Sequence, residues 1–194
     1  AEKILSTEGG AAVQTLSDAG RAVLVRRALE ELQDNVHYYH RHRRSAAFCQ
    51  MAAQTIDELK SAGLSGRQLA QLAGACGAES GKLSELALIF QGYETLLARS
   101  GMDPSDRLEL AGARLEEALA RHSLPEFLRD RAVFIDEFDT FNAPKKRLLG
   151  AMLAALPSVT VALCDDGAPL LPGDLSLFSG AKQVAAQLRQ LARK

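Results

Sequence analysis

The chain contains 194 residues with a formal net charge of −1, and 47% of its residues are hydrophobic and 24% charged. These near-average values exclude wholesale disorder, and they exclude the overall basic field of a dedicated DNA-binding domain, so any nucleic-acid contact must be local. A chain of this length can bury one large core or two modest ones. No apolar run approaches the roughly eighteen residues of a membrane span, so we expect no membrane contact.

Three cysteines, Cys49, Cys76 and Cys164, lie far apart and form no Cys-x-x-Cys pair. An odd, scattered set predicts free thiols in a reducing compartment, which indicates a cytoplasmic protein. The first residue is Ala1 and not methionine, and no signal peptide opens the sequence. We therefore expect a fragment of a longer protein.

Helical periodicity dominates the first part of the chain. Residues 1–16 carry Gly9 and Gly10 and little periodicity, so we expect the first helix to begin after Ser17, a good N-cap residue. Apolar residues then recur three or four positions apart in successive segments. They predict helices at about 18–35, 45–62, 65–75, 82–98 and 104–121, with no strand among them.

A different pattern follows. The apolar run from Ala132 to Ile135 predicts a strand over 131–136 that is buried on both faces, as parallel strands usually are. A helix is predicted from Pro144 to Leu156, and a second strand from Val159 to Leu163. The three elements make a parallel β-α-β unit, for which a right-handed crossover is expected.

The predicted fold is therefore mainly α with a small parallel β-α-β piece, followed by a last amphipathic helix at about 176–192. The change of pattern after Pro125 indicates two domains. We predict a helical subdomain over 1–125 and part of an α/β sheet domain over 126–194.

One segment, His37–Arg44, is strongly basic and aromatic and reads HYYHRHRR. Its arginines and tyrosines could bind phosphates and stack bases, which gives as candidate DNA-binding residues Tyr38, Tyr39, Arg41, Arg43 and Arg44. A second interpretation is a metal site at His37, His40 and His42, although no cysteine or carboxylate lies near them at ligand spacing. The third is a solvated helix–loop junction whose tyrosines pack inward.

The stretch Gly77-Ala-Glu-Ser-Gly-Lys82 is close to a phosphate-binding loop but departs from its pattern. The pattern G-x-x-x-x-G-K-[ST] needs a glycine where Cys76 stands and a serine or threonine where Leu83 stands, and a strand should precede it. Helical segments flank the stretch instead. We predict a loop between helices, with Lys82 in the first turn of the second helix.

Two carboxylates, Asp136 and Glu137, follow the first predicted strand. Open α/β sheets place ligand sites beyond the carboxyl ends of their strands. In nucleotide-hydrolysing sites such acids hold magnesium and position the attacking water, so Asp136 is a candidate Mg²⁺ ligand and Glu137 a candidate base. The alternative is a strand end whose acids cap the following loop.

The stretch Asp136-Glu-Phe-Asp-Thr-Phe-Asn142, the helix and strand after it, and then Cys164-Asp165-Asp166 together resemble motifs II and III of the UvrD-like superfamily 1 helicases. The resemblance implies catalytic roles for Asp136 and Glu137, and it gives Asp165 the place of the motif III aspartate. Cys164 stands where the active pattern has glycine, and Ala168 where it has a phosphate-sensing glutamine. These two departures imply a degenerate motor.

Helical segments ahead of these motifs are similar to one branch of that superfamily, the B subunit of the bacterial ATP-dependent helicase–nuclease complexes of the AddB/RexB type. The similar stretches are Leu16-Ser-Asp-Ala-Gly-Arg21, Ile56-Asp-Glu-Leu-Lys60, Lys82 to Tyr93, and Asp103-Pro-Ser-Asp106. The resemblance spans most of residues 16–190. It implies that 1–125 is a 1B-like helical subdomain and 126–194 the motif II–III part of a helicase-like domain.

For the parent protein, the resemblance implies DNA end processing in double-strand break repair, with the A subunit of the helicase–nuclease and DNA as partners. ATP with Mg²⁺ at Asp136 and an iron–sulfur cluster are expected only in that parent, whose phosphate loop would precede Ala1 and whose nuclease domain would follow Lys194. The fragment alone is expected to bind no cofactor and hydrolyse no ATP, and to contact DNA or act as scaffold.

Two further expectations concern surfaces. With few strands to complete the sheet, an apolar edge or face should be exposed, and a second copy of the chain could cover it. The alternative function from a different class is a helical protein-interaction module with no nucleotide or DNA chemistry.

Overall fold

A computed structural model describes residues 1–10, 12–77, 80–136 and 141–193. The helices within these ranges are α1 (Glu2–Glu8), α2 (Asp18–Glu31), α3 (Ala46–Ser61), α4 (Gly66–Ala75), α5 (Ser80–Ser100), α6 (Pro104–Ala120), α7 (Ala143–Ala155) and α8 (Ser179–Leu191). The strands are β1 (Ala132–Ile135) and β2 (Ser158–Val161), and short 3-10 turns lie at His40–His42 and Glu126–Leu128. The predicted fold class is confirmed.

The chain divides into two compact units, one of residues 12–107 and one of residues 1–11 with 108–194. The boundary between them runs through α6 and does not coincide with residue 125. Compactness alone does not test whether a segment folds as a domain. The division into domains 1–125 and 126–194 therefore stays a prediction.

The unit of residues 12–107 is built mainly from α2, α3, α4 and α5. Serine N-caps begin three of these helices, at Ser17, Ser45 and Ser65, where each side chain accepts a backbone N–H from three residues along the chain. Gln68 completes a capping box with Ser65. The predicted cap at Ser17 is confirmed.

Large apolar side chains from three helices fill the core of this unit. Those almost completely removed from solvent include Leu29, Ile56, Ile89, Phe90 and Tyr93. Burial of each such apolar side chain stabilises the fold by about 1.5–3 kcal/mol. Helix α4 begins against α5 at Gly66, where an added Cβ would lie only 2.8 Å from the backbone nitrogen of Gln91.

The unit of residues 1–11 and 108–194 has its own core. Helix α6 approaches α7 closely at Gly112, where an added Cβ would lie 3.3 Å from the backbone nitrogen of Leu148. Helix α1 also contributes to this core, through Ile4 and Leu5. The expectation of no firm helix before Ser17 is therefore wrong: α1 has only seven residues, too few to display a helical period.

Strands β1 and β2 pair in parallel, with Ala132 opposite Ser158 and Ile135 opposite Val161. Val133 packs into the core on one face, whereas Phe134 on the other face is 76% exposed. The prediction that the first strand is buried on both faces is wrong, because the described residues cover only one face of this two-stranded sheet. The exposed apolar face that we expected is confirmed at Phe134.

The remaining sequence expectations about the fold concern strands, membranes and thiols. Ahead of β1, the described residues form no strand and only an isolated bridge between Thr15 and Met102. None of the described helices is long and apolar enough to cross a membrane. The predicted free thiols are confirmed: Cys49 is buried, while Cys76 and Cys164 are exposed.

Candidate functional site

The two strands leave the sheet side by side. Asp136 directly follows β1, and the chain after β2 continues alongside it, since Ala162 N donates a 2.9 Å hydrogen bond to the carbonyl of Ile135. Asp165 lies three residues further on. The predicted parallel pairing is confirmed, so both aspartates follow the same edge of the sheet. Their catalytic roles stay predictions.

The turn after β2 is an ordered structure braced from α8. Asp165 Oδ1 accepts a hydrogen bond from Gly167 N at 3.2 Å. The next residue, Asp166, lies 2.8 Å from the ammonium nitrogen of Lys182, whose own side chain is 5% exposed. The hydrogen bond from Lys182 lowers the pKa of Asp166, and the Ala168 N–H adds to this effect. These contacts fix the backbone that carries Asp165.

The strand-end acids do not form a metal site within the described residues. Asp136 is exposed. No group of three or more His, Cys, Asp or Glu side chains that could hold a metal ion occurs in the part of the chain that the structure describes. The predicted base Glu137 lies outside the described residues. Magnesium at Asp136 stays a prediction for the parent protein.

The stretch that is close to a phosphate loop follows a helix. Helix α4 ends at Ala75 and α5 begins at Ser80, so Lys82 lies in the first turn of α5. The predicted place of Lys82 is confirmed, whereas Ser80 and Gly81, which were predicted to lie in the loop, belong to α5. Because no strand leads into it, this stretch lacks the structural context of a phosphate loop.

The basic and aromatic segment His37–Arg44 forms the connection between α2 and α3, and Glu85 holds its first part in place. The Glu85 carboxylate accepts three consecutive backbone N–H groups, those of His37 (2.9 Å), Tyr38 (2.8 Å) and Tyr39 (3.2 Å). Burial opposes the negative charge of Glu85, but these hydrogen bonds outweigh it and lower the pKa. Glu85 thus fixes the conformation of the segment from α5.

Aromatic rings from this segment stack on α3. Phe48 stacks with Tyr39, at a centroid distance of 5.3 Å and an interplanar angle of 29°, and with His42, at 5.5 Å and 30°. Tyr38 is 59% exposed, and the Lys82 ammonium lies 5.4 Å from its ring centroid. One tyrosine therefore packs partly inward and the other faces solvent.

The arginines of the segment lie at the surface. Arg41 and Arg44 are exposed, and Arg43 is half-buried. Arg43 and Arg44 line a polar recess of about 200 Å³ together with Glu30 and Gln33. Guanidinium groups in such a cluster offer forked donors that suit phosphate oxygens.

The histidine metal site finds no support. None of His37, His40 and His42 belongs to a group that could hold a metal ion among the described residues. His42 instead stacks on Phe48.

Sequence reasoning missed Glu85. Its hydrogen-bond partners lie 46 to 48 positions away, so no local spacing reveals them. One local signal existed: Glu85 lies four positions before Ile89, on the buried face of α5, where a carboxylate needs partners.

Comparison with known proteins agrees with the sequence resemblance. The family model described as "ADDB, N-terminal" matches residues 1–194. Relatives named as the B subunit of an ATP-dependent helicase/deoxyribonuclease include those of Desulforudis audaxviator (32% identical, covering 99% of this chain and 16% of the relative) and Moorella thermoacetica (31% identical, covering 98% and 17%). The protein of the same name from Heliobacterium modesticaldum is 30% identical, over 99% of this chain and 16% of its own length.

The chain thus spans about a sixth of the length of the curated relatives it matches. Because the family model extends over residues 1–194, the chain belongs to the AddB N-terminal family.

Proposed function

We propose that the chain is part of a helicase–nuclease subunit that acts in DNA double-strand break repair, in which it contacts DNA through the segment His37–Arg44. The relatives support this, because each is named as the B subunit of an ATP-dependent helicase/deoxyribonuclease. Because these relatives are named as a B subunit, a different subunit of the same complex is the proposed protein partner.

The proposal rests mainly on one observation: the buried Glu85 carboxylate holds the cationic and aromatic surface segment His37–Arg44 in place. Glu85 accepts backbone N–H groups from His37, Tyr38 and Tyr39, which holds the start of the segment in one conformation. A preorganised segment loses little conformational entropy when a ligand binds. The arginines that follow it are surface groups suited to phosphates.

The charge of the segment also favours this function. The whole chain has a formal net charge of −1, so general electrostatic attraction does not bring it to DNA. Arg41, Arg43 and Arg44 concentrate three positive charges within four residues. A local cluster of this kind gives binding that depends on those arginines in particular.

Salt-dependent DNA binding tests the proposal. We would measure the affinity of the chain for fluorescein-labelled single-stranded and duplex DNA by anisotropy at several salt concentrations. Replacing Arg41, Arg43 and Arg44 by glutamine should weaken binding and reduce the slope of log K against log salt by about 2 for single-stranded DNA, since each phosphate contact contributes about 0.7.

A matched control separates the cluster from net charge. Replacement of Arg27, Arg67 and Arg99 by glutamine changes the net charge by the same amount at exposed positions of the same compact unit. Equal weakening by both triple variants, or no binding by the unaltered chain, would contradict the proposal. Absence of binding would leave the helical protein-interaction module as the better account.

The motor site is proposed to be inactive in this chain. The stretch before Lys82 lacks the phosphate-loop pattern, and the described residues around Asp136 form no metal-binding group. We expect no ATP hydrolysis above background in a phosphate-release assay. Turnover that disappears in Asp136→Asn would overturn this part of the proposal.

A further inference from the structure

A pocket of about 410 Å³ is formed in part by the segment His37–Arg44, through Tyr38, Tyr39 and His42. Its walls are mainly aromatic and apolar, with a cationic edge. They are formed chiefly by Tyr38, Tyr39, His42, Phe48, Met51 and Lys82. A volume of this size falls near the lower end for small-ligand pockets and suits one planar ring system better than a long side chain or a helix.

Two of the wall residues are largely open to solvent. Tyr38 is 59% exposed and Met51 is 57% exposed. The stack of Tyr39, Phe48 and His42 forms the aromatic part of the pocket that is already packed. An incoming flat ring can therefore cover Met51 and the face of Tyr38 that the Lys82 ammonium does not occupy, without displacing the existing stack.

The pocket is rigid on the side of Tyr38. Both oxygens of the Glu85 carboxylate accept the Tyr38 backbone N–H, at 3.0 and 2.8 Å. An aromatic side chain on a fixed backbone presents a stacking surface at low entropic cost.

The positive charge at the pocket favours flat ligands that carry a negative charge. The Lys82 ammonium lies 5.4 Å from the Tyr38 centroid, and none of the described lining residues of the pocket carries a carboxylate. Arg43 and Arg44 follow His42 directly in the chain. Phosphates joined to a bound base through its sugar would therefore meet Lys82 at the pocket and the arginines that follow His42 in the chain. A basic peptide would instead need an acidic lining, which the described lining residues do not supply.

We infer that this pocket accepts one unpaired base of a DNA strand, stacked on Tyr38, while the neighbouring phosphates bind Arg41, Arg43 and Arg44. The inference rests on the proposed DNA contact and adds its substrate class, single-stranded DNA or an unpaired end. A base inside a duplex is already stacked on its neighbours and cannot enter. The chain therefore prefers single-stranded to fully paired DNA.

The test compares two oligonucleotides of equal length and equal phosphate number. One is oligodeoxythymidylate, and the other carries abasic tetrahydrofuran sites in place of its bases. The 194-residue chain should bind the first more tightly. Tyr38→Ala should weaken binding of oligodeoxythymidylate about tenfold, as expected for loss of one base–aromatic stack, and should leave binding of the abasic strand nearly unchanged.

The salt dependence distinguishes stacking from charge. Tyr38→Ala should shift the line of log K against log salt without changing its slope, because stacking releases no counterions. Tyr38→Phe, which keeps the ring, should bind like the unaltered chain. Leu72→Ala is the control, because Leu72 is 51% exposed in the same compact unit and lies outside the pocket.

Each outcome bears on one claim. Equal affinity for the two oligonucleotides, or no effect of Tyr38→Ala, would overturn the base pocket while the arginine-dependent binding could still stand. Loss of all DNA binding in the unaltered chain would instead overturn the proposed function. Binding of thymidine monophosphate as tight as that of the oligonucleotide would assign the pocket to a free nucleotide and would also contradict the inference.

Discussion

The Tyr38 backbone N–H donates to both carboxylate oxygens of Glu85, although 47 positions separate the two residues in the sequence. This contact joins the connection after α2 to the second turn of α5. The conformation of the segment proposed to contact DNA therefore depends on one ionised side chain.

Replacement of Glu85 by glutamine should destabilise the chain by about 1–3 kcal/mol, because backbone N–H groups lose a charged acceptor. The measurement is urea denaturation followed by circular dichroism at neutral pH. Glu31→Gln serves as the control, since Glu31 forms an exposed pair with Arg27 one helical turn away and should contribute less than about 0.5 kcal/mol.

The effect of Glu85 should also depend on pH. The folded-state pKa of Glu85 is lowered from its ordinary value of 4.5. Its stabilisation is therefore fully present above the unfolded-state pKa and disappears as the pH falls through the lower folded-state pKa. The stability difference between the unaltered chain and Glu85→Gln should shrink below about pH 4.5. A difference that stays constant down to acid pH would contradict the assigned role.

The buried hydroxyl of Tyr93 stabilises the same compact unit. It donates a 2.6 Å hydrogen bond to Asp103 Oδ1, and Lys60 Nζ lies 2.7 Å from Asp103 Oδ2. Burial, and then the hydrogen bond to Asp103, raises the pKa of Tyr93 far above its ordinary value. Tyr93→Phe should lower stability by about 1.5–3 kcal/mol, because a buried carboxylate loses a donor.

Tyr38→Phe provides the matched control for that change, since Tyr38 is largely exposed and its ring is retained. It should alter stability by less than about 0.5 kcal/mol. Similar urea midpoints for the two variants would show that the Tyr93–Asp103 hydrogen bond contributes nothing to stability.

Lys182 should control the titration of the turn after β2. In Lys182→Met, the pKa of Asp166 should rise towards its ordinary value of 3.8, because the first cause of its lowering is the hydrogen bond from Lys182. Carboxyl-carbon NMR titration measures this directly. Glu85 is the reference, since it lies in the other compact unit and the replacement of Lys182 should leave its lowered pKa unchanged.

The stabilisation that the Asp166–Lys182 pair provides should be lost at both low and high pH. Asp166 has a lowered pKa, so its contribution disappears as the pH falls through that value, whereas Lys182 has a raised pKa and its contribution disappears at strongly alkaline pH. Docking of α8 should be strongest between these limits. An unchanged pKa of Asp166 in Lys182→Met would contradict the assigned role of the Lys182–Asp166 hydrogen bond.

The exposed face of the sheet should cause self-association. Phe134 is 76% exposed beside Thr160, and we predict that a second copy of the chain covers it. Sedimentation velocity over a concentration series should show a dimer that Phe134→Ser abolishes. Leu177→Ser is the control, since Leu177 is 90% exposed in the loop before α8. A chain that is monomeric throughout would contradict this prediction.

Local sequence patterns predicted the elements whose causes are local. The spacing of apolar residues and the serine caps predicted the bounds of α2 to α6 to within a few residues. The apolar run at Ala132–Ile135 predicted β1. Burial of that strand was predicted wrongly, because an apolar run does not show which layers are present to cover it. Glu85 was missed because its partners come from another part of the chain. The basic segment was found because composition alone distinguishes it.

Chemical-shift mapping tests the central claim that the braced segment contacts DNA. Titration of the ¹⁵N-labelled chain with oligodeoxythymidylate should shift the amide resonances of Tyr38, Arg41, Arg43 and Arg44, while those of Ser179–Leu191 stay in place. The same titration of Glu85→Gln should give smaller shifts, because the segment is no longer held. Saturable binding whose shifts fall outside residues 37–44 and the neighbouring first turns of α3 and α5 would contradict the account.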